Sequence, residues 1–348
     1  MSTSRPVVAP IVNPLLDEAL RQKLKRRGEV TGSLGELEPL AVKLGLIQNT
    51  LKPAFHAPQM VVFAADHGLA VDGVGTEAAR STAQLVSMLL TVRLPIAVFS
   101  RIQGLQLSVV DSGVAELIPP HARLLARKIA HGTRSARTGP AMSVDHAEAG
   151  LRAGIEIGRS LPGNAVACAG IGVGSNESAA LVMSRLTGCD VAQLVPERAP
   201  LAVADREHSL SVLKVALARQ KDPIEPLAVL AAFGGFEMAM MVGLMLMASS
   251  ERHLIVVDGM PACAALLIAS RLSPAVADYC VYSRSHGGKG LDEALALLNA
   301  EALLEMGINS IDGTGATLAW PLIRSAAALL TEVADGEDPG PTLPAPLN

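Results

Sequence analysis

The sequence predicts an α/β fold in which a mainly parallel sheet is covered by helices on both faces. Short apolar runs that indicate strands alternate with helical segments of roughly a dozen residues. Most of the apolar runs end at an Asp, Ser or Gly loop, which is typical of buried parallel strands. Half of the residues are hydrophobic but only 2% are aromatic, so the core must consist mainly of Ala, Val, Leu, Ile and Met.

The polar residues that follow the predicted strands define a candidate site. The predicted strands are Met60–Ala65, Pro95–Ser100, Leu107–Val110, Ala165–Ile171, Leu254–Val257 and Tyr279–Tyr282. In open α/β sheets the ligand binds outside the carboxyl ends of the strands. We therefore expect Asp66, the loop from Gly172 to Ser175, Asp258 and the loop from Ser283 to His286 to line one site.

Helical segments are predicted between these strands and at both ends of the chain. They are Asn13–Arg27, Thr76–Val92, Val144–Leu161, Glu177–Leu186, Glu207–Gln220, Cys263–Leu272, Leu291–Met306 and Leu318–Val333, and Ile118–Pro140 is read as a basic loop. The apolar stretch from Pro226 to Ser250 resembles a membrane span in hydropathy. Because Gly234, Gly235 and Glu237 interrupt it, we expect a buried helix pair and no membrane span.

Charge and cysteine content exclude several functional classes. The net charge is −4 and there is no long basic run, which argues against a nucleic-acid partner. The four cysteines (Cys168, Cys189, Cys263 and Cys280) are widely spaced and form no C-x-x-C pair, so we expect no zinc site and no disulfide framework. The first residues are polar and Pro-rich and do not resemble a signal peptide. A cytoplasmic protein without a bound metal or other cofactor is expected.

The segment from Gly170 to Asn176 is a glycine-rich loop that follows a strand and opens a helix. Its backbone N–H groups and the helix dipole favour a phosphate. A dinucleotide-binding fingerprint would need glycine at position 175, where this chain has Ser, and no acidic residue ends a following strand at the expected distance. A glycine turn that only lets the helix pack on the sheet is the alternative, and a nicotinamide-dependent oxidoreductase is weakly supported.

Two further motifs contain carboxylates that could act as acids or bases. Asp66-His67 follows a strand, where such a pair is as often a structural hydrogen bond as a functional group. Asp312 precedes Gly313-Thr314-Gly315 between two predicted helices, a pattern that by itself indicates a turn. A carboxylate there could serve as a base if it faces the cleft.

Taken in order, these segments resemble the family of phosphoribosyltransferases that transfer the ribose phosphate of nicotinate mononucleotide to a benzimidazole. The matching blocks span roughly Thr31 to Leu330. They are Gly32–Glu38, Phe63–Gly68 continuing through Gly73-Val74 to Thr82–Gln84, Ile129–Thr133, Gly139–Met142, Gly234–Glu237, Asp258-Gly259 and Gly313–Ala316.

The resemblance implies a Rossmann-like large domain, a smaller helical domain built from the chain ends, and a homodimer. The expected boundaries are 1–50 and 301–334 for the small domain and 51–300 for the large domain, with a disordered tail from 335 to 348. The apolar helix around Phe236–Met247 is a candidate dimer contact surface. The partners implied are small-molecule substrates, nicotinate mononucleotide and a benzimidazole base.

The resemblance also assigns the chemistry. Nicotinate leaves the ribose as a neutral ring, so no general acid is needed, whereas the incoming benzimidazole must lose a proton to a carboxylate. The family base, a Glu, corresponds to Asp312. The substrate-binding residues implied are Asp66, His67, Gln84, Gly172, Gly174, Ser175, Asp258, Ser283, Lys289 and Gly313.

Several positions depart from the family pattern. Gly170 stands where the family has Glu, and Ser175-Asn176-Glu177 replaces Asn-Thr-Thr. Gly75-Thr76-Glu77-Ala78 replaces Ser-x-Tyr-Pro in the base pocket, and Ser283-Arg284-Ser285-His286-Gly287-Gly288 replaces Ser-His-x-Ser-x-Glu. A family Lys falls near Ser209, and Arg284, Lys289 or His208 could replace it as the phosphate-binding cation. These changes fit an enzyme with a different base or donor, or a non-catalytic protein that binds a nucleotide or corrinoid ligand.

Overall fold

The computed structural model describes residues 5–75, 80–195, 203–285 and 290–334, and it confirms the predicted α/β class. Seven strands form one parallel sheet in the order β3-β2-β1-β4-β5-β6-β7. The strands are β1 (Gln59–Ala65), β2 (Gln106–Gly113), β3 (Leu124–Ala126), β4 (Ala165–Ile171), β5 (Leu254–Val257), β6 (Cys280–Arg284) and β7 (Ala302–Leu304). Both β1 and β4 are buried along their whole length, as expected of central strands covered on both faces.

Helices account for most of the remaining described chain. They are α1 (Pro14–Thr31), α2 (Leu37–Gln48), α3 (Thr82–Leu90), α4 (Pro95–Gln103), α5 (Val144–Ser160), α6 (Ser175–Thr187), α7 (Val191–Leu194), α8 (Val203–Arg219), α9 (Pro226–Phe233), α10 (Phe236–Ser250), α11 (Met260–Leu272), α12 (Leu291–Leu297) and α13 (Thr314–Thr331). Two short 3₁₀ helices, Gly68–Asp72 and Pro274–Tyr279, join them.

The chain divides into two compact units. One unit contains the residues up to Pro10 and His56–Trp320, and it carries the entire sheet. The other contains Ile11–Phe55 and the residues from Pro321 onward. The expected boundary at residue 300 is too early, because β7 pairs with β6 and so belongs to the unit that holds the sheet. The expected disordered tail lies outside the described residues.

Small residues let α5 and α10 pack with their backbones in close contact. A Cβ added at Gly154 of α5 would lie 1.9 Å from the carbonyl oxygen of Met240, and one added at Gly243 of α10 would lie 2.0 Å from that of Leu151. Close-packed glycine and alanine contacts therefore explain how a chain with 2% aromatic residues builds a dense core.

The prediction of a strand at Pro95–Ser100 is wrong, since this segment begins α4. Pro95 occupies the first turn, where its missing N–H costs nothing, and Gly104 ends the helix in a left-handed conformation at φ 72°. Ile96, Ala97 and Ser100 are buried on one face. A short apolar run does not distinguish a strand from a helix, whereas the flanking Pro and Gly do.

The predicted helix Leu291–Met306 is only partly correct. It ends at Leu297, and Asn299 then adopts a left-handed conformation with φ 50° that a helix cannot continue through. The chain turns into β7 and completes the sheet. Likewise, the segment read as a loop from Ile118 to Pro140 contains β3, which pairs with β2.

The apolar stretch Pro226–Ser250 forms two helices separated at Gly234 and Gly235. Residues 236–249 of α10 are buried within the unit that holds the sheet, so Phe236–Met247 does not offer the dimer surface that the sequence suggested. By length and composition the stretch Thr82–Gln103 is apolar enough to cross a membrane, and a third of its most apolar window is buried. This stretch comprises α3, a turn and α4.

Candidate functional site

The switch point of the sheet lies between β1 and β4. From β1 the chain adds β2 and β3 on one side, and then β4 to β7 on the other. Such a reversal opens a crevice at the carboxyl ends of the two central strands. Asp66 follows β1 and Gly172 follows β4, so the structure brings two predicted site residues to this crevice.

The carboxylate of Asp66 organises the loops around the crevice. Its Oδ1 accepts a hydrogen bond of 2.5 Å from Thr82 Oγ1, and its Oδ2 accepts one of 2.8 Å from the backbone N–H of Ala115. The backbone N–H of Thr133 donates to the Asp66 carbonyl at 3.0 Å. Asp66 therefore ties β1 to three other segments of the chain, a role that leaves both carboxylate oxygens engaged.

The glycine loop from Gly172 to Ser175 is held close to β1. A Cβ added at Gly172 would lie 1.7 Å from the carbonyl oxygen of Ala65, so only glycine fits. The N–H of Val173 donates to Thr82 Oγ1 at 3.1 Å, and the N–H of Ser175 donates to the Gly172 carbonyl at 3.2 Å. These two donors are engaged within the protein, which reduces what the loop can offer a phosphate.

Beneath the glycine loop lies a buried group that we call the histidine cluster, consisting of His67, Ser175 and Glu237. Glu237 Oε1 lies 2.8 Å from His67 Nε2 and accepts a hydrogen bond of 2.9 Å from Ser175 Oγ. The side chains of His67 and Glu237 are 1% and 0% exposed, so solvent does not screen their attraction. The cluster joins the end of β1, the start of α6 and the first turn of α10.

The pKa of His67 is raised above its ordinary value. Burial by itself lowers the pKa, but the charge and hydrogen bond of Glu237, together with the charges of Asp66 and Glu177, outweigh that effect. His67 is thus favoured as an imidazolium. Glu237 Oε2 is buried and has no hydrogen-bond partner among the described residues, so the contacts of this carboxylate with His67 and Ser175 are both made through Oε1.

A second buried group, which we call the arginine cluster, consists of Asp258, Arg284 and Asp312. Arg284 Nε donates to Asp258 Oδ1 at 2.8 Å, and Arg284 Nη2 donates to Asp312 Oδ1 at 2.8 Å. The Arg284 and Asp258 side chains are 4% and 0% exposed, whereas that of Asp312 is 15% exposed. The cluster lies at the ends of β5 and β6, and Asp312 is its most accessible member.

Close packing fixes the position of Asp312. A Cβ added at Gly259 would lie 2.1 Å from Asp312 Cγ, and one added at Gly315 would lie 2.5 Å from Arg284 Cδ. The backbone N–H of Ala316 donates to Asp258 Oδ2 at 3.1 Å, which ties the first turn of α13 to the same cluster. The loop before α13 is therefore anchored to β5 and β6.

Arg284 is unsuited to bind the donor phosphate, contrary to one expectation from the sequence. Besides the two carboxylates, it donates from Nη1 to the Ile308 carbonyl at 2.5 Å and from Nη2 to the Ser310 carbonyl at 3.4 Å. Burial lowers its pKa, but Asp258 and Asp312 outweigh that effect and raise it, so Arg284 stays charged. His208 Nε2 lies 2.7 Å from the Asp72 carbonyl, which engages this second candidate as well.

The remaining predicted site residues have varied environments. Gln84 is exposed, and its side-chain oxygen accepts from the N–H of Ser81 at 3.1 Å in a capping box at the start of α3. Ser283 is buried and donates to the Val257 carbonyl at 3.1 Å, a bond between β6 and β5. Gly313, with φ 94°, packs against Ile96, Met60 and Ala169. Lys289 and His286 lie outside the described residues, as do Thr76, Glu77 and Ala78 of the Asp66–Gln84 region, which the resemblance implies lines the base pocket.

Gly170, in β4, packs against α10 and α11. A Cβ added there would lie 2.7 Å from Pro261 Cβ and 3.4 Å from Glu237 Cγ. Pro261 and Met241, whose Cε would lie 2.9 Å from that Cβ, fill the space into which a side chain would extend. Neighbouring side chains therefore fill the space that the family's Glu would occupy at position 170.

The four cysteines are free, and burial raises the pKa of the Cys168 and Cys263 thiols, which keeps them neutral. Within the described part of the chain, no group of three or more His, Cys, Asp or Glu side chains could hold a metal ion.

Sequence reasoning did not assign a role to Glu237 or Thr82. A signal for Glu237 was present, because a carboxylate in the first turn of an otherwise apolar helix must find a partner when buried. Thr82 gave no comparable signal, since its bonds to Asp66 and Val173 depend on how α3 packs at the crevice.

Comparison with known proteins identifies the family. A family model described as "Phosphoribosyltransferase" matches residues 10–340. The chain is 42% identical over 328 residues to the nicotinate-nucleotide–dimethylbenzimidazole phosphoribosyltransferase of Cupriavidus taiwanensis, with 92% of this chain and 95% of that protein covered. A protein of the same name from Variovorax paradoxus is 39% identical over 335 residues, with 96% of each chain covered.

A crystal structure supports the same assignment. The enzyme of that name from Thermus thermophilus superposes with a TM-score of 0.86 at 30% identity, covering 93% of this chain and 97% of that chain. With its parallel sheet, its crevice at the switch point and these matches over nearly its whole length, the chain belongs to the nicotinate-nucleotide–dimethylbenzimidazole phosphoribosyltransferase family.

Proposed function

We propose that this protein transfers the ribose 5-phosphate of nicotinate mononucleotide to 5,6-dimethylbenzimidazole or a related base. The products are nicotinate and α-ribazole phosphate, and the reaction belongs to assembly of the cobalamin nucleotide loop. The observation that carries the proposal is the family match over residues 10–340, together with a carboxylate, Asp312, held at the carboxyl ends of β5 and β6.

The reaction needs one carboxylate base. A benzimidazole nitrogen forms a bond to C1′ of the ribose, and the bond between C1′ and the nicotinate nitrogen breaks. Its electron pair goes to the pyridinium nitrogen, so nicotinate departs with a neutral ring and needs no acid. The proton on the other benzimidazole nitrogen passes to Asp312. General base catalysis of this kind contributes roughly 10²–10⁴-fold to a rate, and positioning of the substrates supplies much of the rest.

Because several positions depart from the family pattern, the proposal leaves the identity of the acceptor base to be determined. Asp312 is one methylene shorter than the family Glu, and the arginine cluster holds it in place. Because the side chain of Asp312 is shorter, the acceptor ring must lie closer to it than to the Glu of the family, which fits a protein that accepts a related base. The residues of the Gly75–Ala78 segment and Gly170 are the positions most directly expected to set that preference.

The experiment is an incubation of the purified protein with nicotinate mononucleotide and a panel of bases, with both products measured by mass spectrometry. The proposal predicts equimolar nicotinate and phosphoribosylated base for at least one benzimidazole. A protein that binds these compounds in calorimetry but releases no nicotinate would instead be a ligand-binding paralogue. A lack of both binding and turnover would remove the proposal altogether.

The family resemblance also supports a homodimer, and the four free cysteines fit a reducing cytoplasm. Because α10 is buried, another surface must mediate dimer formation. Light scattering coupled to size exclusion distinguishes a dimer from a monomer of 36.0 kDa.

A further inference from the structure

The contacts of Arg284 link the candidate base to the rest of the site. Its guanidinium donates to the carboxylates of Asp258 and Asp312 and to the carbonyls of Ile308 and Ser310. One side chain from β6 therefore holds both the carboxylate of Asp312 and the backbone of the segment that leads to it. A fork-shaped guanidinium can fix a carboxylate in this way, whereas the single ammonium of a lysine cannot.

The two carboxylates of the arginine cluster differ in their surroundings. Asp258 is fully buried and accepts a second hydrogen bond, from the N–H of Ala316 at 3.1 Å. Asp312 is partly exposed at 15%. Two buried thiols also face the cluster. Burial and both carboxylates raise the pKa of Cys263 on α11, and burial together with the charge of Asp258 contributes to the raised pKa of Cys168 on β4. Only Asp312 is placed to exchange a proton with a ligand.

The charge balance of the cluster explains why two carboxylates are useful. A buried Arg paired with a single Asp would lose its counter-charge when that Asp accepted a proton, and an uncompensated buried charge is costly. Here Asp258 continues to neutralise Arg284 when Asp312 is protonated. The net charge of the cluster then changes from −1, the sum of two carboxylates and one guanidinium, to 0.

We propose that Asp258 and Arg284 are positioning residues that hold Asp312 for proton acceptance and keep the cluster charge-compensated after the proton has moved. The proposal rests on the proposed function, in which Asp312 is the base. It makes opposite predictions for the two positioning residues. Loss of the Arg284 charge leaves the negative charge of Asp258 near Asp312 without the guanidinium that offsets it, which makes Asp312 easier to protonate. Loss of the Asp258 charge removes a like charge near Asp312 and makes it harder to protonate.

The first measurement is the carboxyl ¹³C NMR titration of Asp312, assigned by its absence in Asp312→Asn. It requires no activity, so it tests the positioning proposal even if the proposed reaction fails. We expect the titration midpoint to rise by at least about one pH unit in Arg284→Met and to fall in Asp258→Asn. Arg152→Met and Asp145→Asn, both exposed positions on α5, are matched controls that should leave the midpoint unchanged.

The second measurement is the pH profile of kcat/KM for nicotinate release. The acid limb of this profile should move to higher pH in Arg284→Met and to lower pH in Asp258→Asn. In Arg284→Lys the positive charge stays but the two-pronged guanidinium is lost, so the limb should stay near its wild-type position while kcat falls roughly tenfold. If Arg284→Met does not fold, the Asp258→Asn and Arg284→Lys variants still decide the matter. Shifts in the same direction for both charge variants, or no shift in either, would overturn the proposal. A wild-type protein that releases no nicotinate, with the NMR shifts as expected, would refute the function alone.

Discussion

The histidine cluster and the arginine cluster each pair a buried cation with acidic side chains, but the two cations differ. His67 pairs with one carboxylate, that of Glu237, whereas Arg284 pairs with two, those of Asp258 and Asp312. The cation of the histidine cluster is an imidazolium, which loses its proton as the pH rises through its raised pKa. The guanidinium of Arg284 cannot lose its proton, so the arginine cluster keeps its charge throughout the physiological range.

Because of this difference, we expect the two clusters to have different roles in the protein. The histidine cluster joins β1, α6 and α10 beneath the glycine loop, and its carboxylate is fully buried. The arginine cluster holds a carboxylate that is partly exposed and can meet a substrate. We therefore expect changes in the first cluster to affect mainly stability and changes in the second to affect mainly turnover.

Glu237→Ala should give the largest loss of stability. It leaves His67 buried without its partner carboxylate and also removes the acceptor of Ser175. Breaking a buried pair in this way costs about 3 kcal/mol or more in free energy of unfolding. Chemical denaturation measures it, with Glu237→Gln as the variant that keeps the shape and removes the charge. A loss of unfolding free energy smaller than that caused by a substitution at an exposed position would show that the His67–Glu237 pair contributes little to stability.

Gly259→Ala should show whether kcat depends on the position of the Asp312 carboxylate or only on backbone strain. Its added Cβ would overlap the Asp312 carboxyl at 2.1 Å, so we expect kcat to fall by about 10²-fold, as for a misplaced catalytic group. Gly104→Ala is the matched control, since Gly104 also has positive φ, at 72°, but has open space around it. It should cost about 1 kcal/mol in stability and leave kcat unchanged. Equal effects on kcat would contradict the assigned position of Asp312.

The histidine cluster should make stability depend on pH. Because the pKa of His67 is raised in the folded state, its contribution is fully present below the unfolded pKa of 6.5 and is lost as pH rises through the folded pKa. The free energy of unfolding should therefore fall towards alkaline pH, by about 1.4 kcal/mol for each unit of pKa shift. Urea titrations across that range measure the slope. It should flatten in Glu237→Gln, and an unchanged slope there would assign it to other groups.

Arg152→Ala should have the smallest effect. Arg152 and Glu148 form an exposed ion pair on α5 at 3.5 Å, with both side chains nearly half exposed. Pairs of this kind contribute between about 0 and 1 kcal/mol, because water and salt screen them. A thermal unfolding midpoint within one or two degrees of wild type is expected at moderate salt. A larger drop would mean that burial does not distinguish the two clusters from surface pairs.

The sequence alone placed some of the site but not its connections. Asp66, the glycine loop and Asp258 were expected at one edge because the carboxyl ends of parallel strands share it. The bond between His67 and Glu237 joins residues 170 positions apart, and nothing local in the chain encodes which face of α10 meets β1. Arg284 was read from its charge as a phosphate ligand, since a lone Arg in a loop motif does not reveal that two aspartates and two carbonyls surround it.

The most direct test of the account is the rate of nicotinate release by Asp312→Asn compared with wild type, at saturating nicotinate mononucleotide and 5,6-dimethylbenzimidazole. Asn keeps the shape of Asp and can still accept from Arg284, so the fold should be retained while the base is lost. We predict that kcat falls by at least about 10²-fold and that the affinity for both substrates is nearly unchanged. An Asp312→Asn protein that turns over at the wild-type rate would contradict the assignment of Asp312 as the base.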